Sequence, residues 1–200
     1  MRSLVIASIF VALLSAPALA QEIPEMLDDA KKLYLEGEYR KAIRELKFAI
    51  GEIEAKLSGL FGEKMPPPPA NYTAGEIEEQ SMGALGGGQM IARKYTQKGG
   101  QGSIKAELLF NNPMVQQMLV LLNNPTLLRM QKGMKRVKIK GEEGILKWDK
   151  SRKSGDLSVI LGGGQLMLKA TGRKLGGPGE LIKFMKSWDF DAAKKTAGLK

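Results

Sequence analysis

Pro66-Pro67-Pro68-Pro69 cuts the chain into two regimes that no single helix or sheet can bridge. Consecutive prolines fix φ and supply no backbone donor, so they favour a stiff polyproline II spacer. Before them the apolar residues recur every three or four positions, and after them they mostly alternate. That change of period predicts an α-helical segment followed by an α+β domain. The expected division is a leader over residues 1–20, a helical hairpin over 21–64, a Pro-rich linker over 65–73 and an α+β domain over 74–200.

The leader is read from MRSLVIASIFVALLSAPALA, with basic Arg2, an apolar run from Leu4 to Leu14 and Ala18-Leu19-Ala20 as a cleavage signal. The apolar run is shorter than the roughly 20 residues a membrane helix needs, so cleavage near Gln21 is expected, leaving no transmembrane span. A periplasmic or secreted location follows, without a lipid anchor, because the chain has no cysteine. Packing must then replace disulfides as the source of stability. The chain also has no histidine, which removes the commonest general base and the commonest metal ligand. No metal, cofactor or catalytic residue is assigned. No Gly-x-Ser-x-Gly elbow or Ser-x-x-Lys occurs, and no carboxylate spacing predicts a facing pair, so a non-enzymatic protein is expected.

Charge divides with the chain. Residues 21–64 carry 8 Lys/Arg and 10 Asp/Glu, whereas residues 65–200 carry 22 and 11. A basic second part favours anionic lipid, acidic glycan or an acidic protein face, and export argues against nucleic acid.

In the first segment Tyr39, Ala42, Ile43, Leu46, Ala49, Ile50 and Ile53 fall on one helix, with Glu36-Gly37-Glu38 separating it from another that ends at Leu33 and Tyr34. Tyr34, Gly37, Tyr39, Ala42, Ile43 and Ala49 resemble a tetratricopeptide repeat. A single repeat leaves an apolar face to cover, so the hairpin is expected to dock on the rest of the chain, on a second copy or on a protein partner, and for a partner Tyr34, Tyr39, Arg40 and Arg44 are the candidate contact residues.

Beyond the prolines, Thr73-Ala74-Gly75-Glu76 reads as a capping box and predicts a helix from Ala74 to about Leu85. About six strands follow: MIARKYTQ, SIKAELLF, KRVKIK, GILKWDK, DLSVIL and LMLKAT, in an antiparallel sheet packed by helices. Their alternation turns Ile104, Ala106, Leu108, Phe110, Val137, Ile139, Leu146, Trp148, Leu157, Val159, Leu161, Leu166, Leu168 and Ala170 inward. By the same parity Lys105, Arg136, Lys138, Lys140, Lys147 and Lys169 face outward as a candidate anion-binding patch, against the simpler reading of lysines that solubilise a sheet. Asn112-Pro113 and Asn124-Pro125 open two short helices, the first with an apolar stripe through Met114, Val115, Met118, Leu119 and Leu122. That stripe is read as core, or alternatively as the cover of a lipid tail in a carrier of an anionic amphiphile. Glu142-Glu143 reads as a turn, and the closing PGELIKFMKSWDFDAAKKT as a helix interrupted near Asp189.

GGGQ occurs at residues 86–89 and again at 162–165. Neither copy has the strand before, the helix after and the Lys-Ser/Thr pair that a phosphate loop needs, so the first is read as a helix stop and the second as a hairpin turn. The proline run, ANYTAGEIEEQSMGALGGGQMIARKYT, NNPMVQQML and WDFDAAKK together resemble exported bacterial proteins of uncharacterised function, over most of residues 66 to 195. The topology is also loosely similar to the Mog1/PsbP-like sandwich.

Overall fold

The computed structural model describes residues 22–81 and 88–199. The leader, and Gly86 and Gly87 of the first glycine run, lie outside them. The chain divides into two compact units, one up to Glu52 and one from Ile53 onward.

The first unit is the expected helical hairpin. Helix α1 spans Ile23–Leu35, and Gly37, at φ 78°, reverses the chain into helix α2, Tyr39–Gly62, whose last turns belong to the second unit. Glu38 N–H donates to the Leu33 carbonyl at 2.9 Å across this turn, satisfying a carbonyl that the helix end leaves open. Ala30, Ala42 and Ala49 are buried.

The second unit is an antiparallel sheet of seven strands: β1 Tyr72–Ser81, β2 Gln89–Gln97, β3 Ser103–Phe110, β4 Met134–Ile139, β5 Glu142–Asp149, β6 Ser154–Leu161 and β7 Leu166–Arg173. Their order is β1-β2-β3-β7-β6-β5-β4, so two meanders join through β3 and β7. Helices α3, Pro113–Asn123, and α4, Pro125–Met130, cross from one meander to the other. Helices α5, Pro178–Ser187, and α6, Phe190–Thr196, close the chain. Caps form at both Asn-Pro pairs, Asn112 accepting from Met114 N–H at 2.9 Å and Asn124 from Leu127 N–H at 3.1 Å; at the interruption between the closing helices Asp189 accepts from Ala192 N–H at 3.0 Å.

The extra strand is β1, where a helix is expected. Thr73 does not cap; its hydroxyl donates to the Thr96 carbonyl across the β1–β2 ladder at 3.2 Å. A capping box satisfies only two amides, whereas pairing with β2 gives most of the segment a ladder and buries Tyr72 in the core. A bulge between Ala74 and Ile77 absorbs Gly75 and Glu76, and the exposed Glu76, Glu78 and Glu79 place charge on this edge strand. Glu142 and Glu143 likewise open β5; the turn is Lys140-Gly141, with φ 49° and 89°. Gly162-Gly163-Gly164 forms the β6–β7 connection with φ 57°, 64° and 101°, as the hairpin reading requires.

The inward set read from alternation lies on one sheet face. Ile104, Ala106, Leu108, Phe110, Ile139, Leu146, Leu157, Val159, Leu161, Leu166, Leu168 and Ala170 are buried with Leu181, Phe184, Met185, Trp188 and Phe190 from the closing segment, and Val137 and Trp148 pack at its margin. The end of α2 and the start of the proline run contribute Phe61 and Met65, and the buried Tyr95 hydroxyl donates to the Pro66 carbonyl at 2.6 Å. Burial pushes the Tyr95 phenol up to about 12, because its anion would have no water around it.

The opposite face carries a second core, which alternation along single strands assigns to solvent. Leu109, Ile145, Ile160 and Met167 are buried there under Val115 and Leu122 of α3 and Leu128 of α4, with Met118 and Leu119 partly buried beside them. The stripe of α3 is therefore core, except Met114, which is exposed. Helices α3 and α4 cover only one end of this face.

Candidate anion-binding cleft

On β7 the outward face changes from apolar Met167 to Lys169, Thr171 and Arg173. Beyond that change lies an open cleft of about 990 Å3 on the sheet surface. Its floor follows from register. One row across the strands reads Lys94, Lys105, Thr171, Asp156, Lys147, each residue paired with the next on β2, β3, β7, β6 and β5. The adjacent row places Glu107 opposite Lys169, and Lys169 opposite Ser158. On the other side Ser103 faces Arg173.

The lining contains seven cations (Lys94, Lys105, Lys147, Arg152, Lys169, Arg173 and Lys174) and three carboxylates, Glu107, Asp149 and Asp156. The rest is serine, threonine and glycine, with no large apolar or aromatic side chain. Glu107 is buried, and its two oxygens meet Lys105 Nζ at 2.9 Å and Lys169 Nζ at 3.3 Å. The Thr171 hydroxyl donates to Asp156 at 2.7 Å, and Lys174 donates to Gln101 at 2.7 Å. Asp149 caps the turn after β5 by accepting from Ser151 and Arg152; the Ser151 hydroxyl above all, then the Arg152 amide, holds its carboxyl below the usual carboxylate range. Lys94, Lys147 and Arg173 are exposed and, among the described residues, make no side-chain hydrogen bond or ion pair. They are the cations open to an incoming anion.

Of the six cations assigned from the sequence, the fold brings Lys105, Lys147 and Lys169 into this cleft. Arg136 and Lys138 lie exposed on edge strand β4, Arg136 paired with Glu143. Lys140 leaves the patch altogether: its turn aims it toward the closing helices, where it donates to the Trp188 carbonyl at 2.7 Å and lies 5.3 Å from the Phe190 ring centre. Lys94 and Arg173 were legible in principle. Lys94 lies between Ile91 and Tyr95 out of phase with both, and Arg173 continues the Lys169-Thr171 alternation past the six residues read as a strand.

The residues assigned to partner contact lie in the hairpin unit. The Tyr34 and Tyr39 rings meet at a tilt of 58° with centres 5.5 Å apart and are largely exposed, Arg40 is exposed, and Arg44 is exposed with its guanidinium 3.7 Å from Glu45. The apolar positions around them are also uncovered: Tyr39, Ile43, Leu46 and Ile50 are each 42–59% exposed. Among the described residues no helix is long and apolar enough to cross a membrane. Comparison with protein families, with characterised proteins and with solved structures finds no match for this chain.

Proposed function

We propose that this is an exported, non-enzymatic binding protein of the cell envelope, periplasmic or secreted, whose sheet domain holds an anionic, hydroxyl-rich ligand such as an acidic oligosaccharide. The observation that carries this reading is the floor of the cleft, where cations from four different strands share one surface with hydroxyl groups and with no large apolar or aromatic side chain. A lipid tail would leave its hydrocarbon against lysines and carboxylates, and the methionine helix that was a candidate to cover it is occupied with the second core. An acidic glycan fits both the charge and the hydrogen-bonding groups.

Titration calorimetry with tetragalacturonate at low ionic strength is expected to give saturable binding that weakens steeply with added salt, since charges separated by more than about 8 Å are screened at physiological ionic strength. Anionic phospholipid vesicles and a neutral tetrasaccharide are expected to bind far less. Absence of saturation with the acidic tetrasaccharide, or indifference to salt, refutes the glycan reading; binding to the vesicles alone transfers the site to a lipid headgroup.

A second reading, as an interaction module, is favoured by the hairpin. Tyr39, Ile43, Leu46 and Ile50 repeat at intervals of four, three and four, the spacing of a coiled-coil seam, and all stand uncovered. A second copy of α2 presents the same seam, so the proposed occupant is another molecule of this protein. Sedimentation equilibrium is expected to show a dimer that Ile43→Asp with Ile50→Asp converts to monomer. A monomeric wild type at tens of micromolar would remove self-association through this face.

A further inference from the structure

Glu107 does not fit a cleft built simply to attract anions. It is a buried carboxylate in the innermost row of a cationic floor, next to the apolar row of Leu109 and Met167, and it holds two of the three cleft lysines that sequence parity assigned. A carboxylate is not required there to fill space, and Gln in its place would keep the shape while removing the charge. Its effect is on what the neighbouring amines have left to offer. Lys105 and Lys169 share its single negative charge, which leaves the trio one net positive charge, whereas Lys94, Lys147 and Arg173 have no such partner among the described residues.

The free cations are also far apart. Lys147 stands on β5 and Lys94 on β2, separated by β3, β7 and β6, so their backbones are roughly 19 Å apart at about 4.8 Å per strand. Arg173 lies on β7 between them, in the next row. A compact anion covers only part of that span, and beside Lys105 and Lys169, whose amines converge on one carboxylate, it meets the Glu107 charge. An extended chain with a charge on each of several units can touch the outer cations while its hydroxyls lie over Thr171, Ser103 and Ser154.

Resting on the anion-binding reading above, we infer that Glu107 is a resident counter-ion that makes the cleft select extended polyanions over compact anions. The ligand class is thereby narrowed to chains with spaced charges, polyuronates being the simplest, and Glu107 becomes the residue that determines specificity without itself attracting the ligand.

The test compares tetragalacturonate with inorganic phosphate on the purified protein and on Glu107→Gln. Wild type is expected to bind the tetrasaccharide and to bind phosphate only weakly. Glu107→Gln is expected to gain at least about tenfold in phosphate affinity, because a like charge facing the anion is removed and Lys105 and Lys169 are released. Adding Lys169→Met to Glu107→Gln should cancel that gain. An independent arm does not depend on Glu107→Gln folding: in the wild-type background Lys147→Met should lower tetragalacturonate affinity about tenfold and Lys169→Met by clearly less, because Glu107 already engages the Lys169 amine. Tetragalacturonate binding with no phosphate gain in Glu107→Gln, or equal losses in the two lysine variants, overturns the role of Glu107 and leaves the anion site standing. No binding of either ligand to wild type or Glu107→Gln overturns both.

Discussion

Trp188→Ala is expected to destabilise the protein by about 3–5 kcal/mol, the range for deleting a large buried aromatic side chain. Trp188 is fully buried in the main core, between α5 and α6. Its removal leaves a cavity against Leu181, Phe184, Met185 and the sheet residues of the same cluster, which cannot collapse into it without moving both helices. The backbone matters as well, because the Trp188 carbonyl receives Lys140 Nζ from the β4–β5 turn, so a shift of the α5–α6 junction also loosens that contact. A domain typically has only about 5–15 kcal/mol in hand, so the variant should unfold at a far lower urea concentration. Trp188→Phe separates shape from polarity. Among the described residues the indole N–H has no hydrogen-bond partner, so phenylalanine loses volume but no bond, and a cost of less than about 2 kcal/mol is expected. Equal losses for the two variants in urea unfolding would show that the core does not use the bulk of this side chain.

Reversing the three open cations together, Lys94→Glu, Lys147→Glu and Arg173→Glu, is expected to reduce tetragalacturonate affinity at least about a hundredfold, since juxtaposed like charges cost several kcal/mol. The cleft lining has seven cations and three carboxylates, and each reversal moves the balance by two, so its net charge passes from +4 to −2. The side chains are exposed and lack partners in the described structure, so the effect on stability should stay near the half kilocalorie or so per site typical of surface changes. Calorimetric titration together with thermal unfolding distinguishes the outcomes. Unchanged affinity in a folded triple variant would place the ligand elsewhere, and lost affinity with a collapsed melting temperature would leave the comparison to single Lys147→Met.

The cleft also shows what parity can and cannot provide. Lys105, Lys147 and Lys169 are found from alternation because each sits in a strand whose apolar neighbours declare the inward face. Arg136 and Lys138 share that parity but stand on β4, at the opposite edge from the β2 and β3 cations, and nothing within KRVKIK reveals the strand order. Lys140 fails because a strand reading was carried one residue into a turn with positive φ, where the side chain no longer obeys a period of two. Glu107 has the same parity as Lys105, yet its role depends on Lys169, sixty-two positions away and directly opposite. Leu109, Ile145, Ile160 and Met167 look solvent-facing for a related reason: the strands record which side chains share a face, not whether a helix covers it.

Local signals were sufficient wherever the interaction is local. The hairpin helices, the Asn-Pro caps, the glycine connection between β6 and β7, and the inward set of the main core all follow from three-and-four spacing, capping chemistry, alternation and the backbone freedom of glycine. Tertiary structure alone decided that residues 72–81 form a strand, because a cap offers two hydrogen bonds and a neighbouring edge offers a ladder. It alone joined β3 to β7, which brings Lys105, Glu107, Lys169 and Arg173 onto one floor. Strand order is a choice among long-range pairings of similar hydrogen-bond energy, settled by how the whole core packs, and that information is not contained in any one segment.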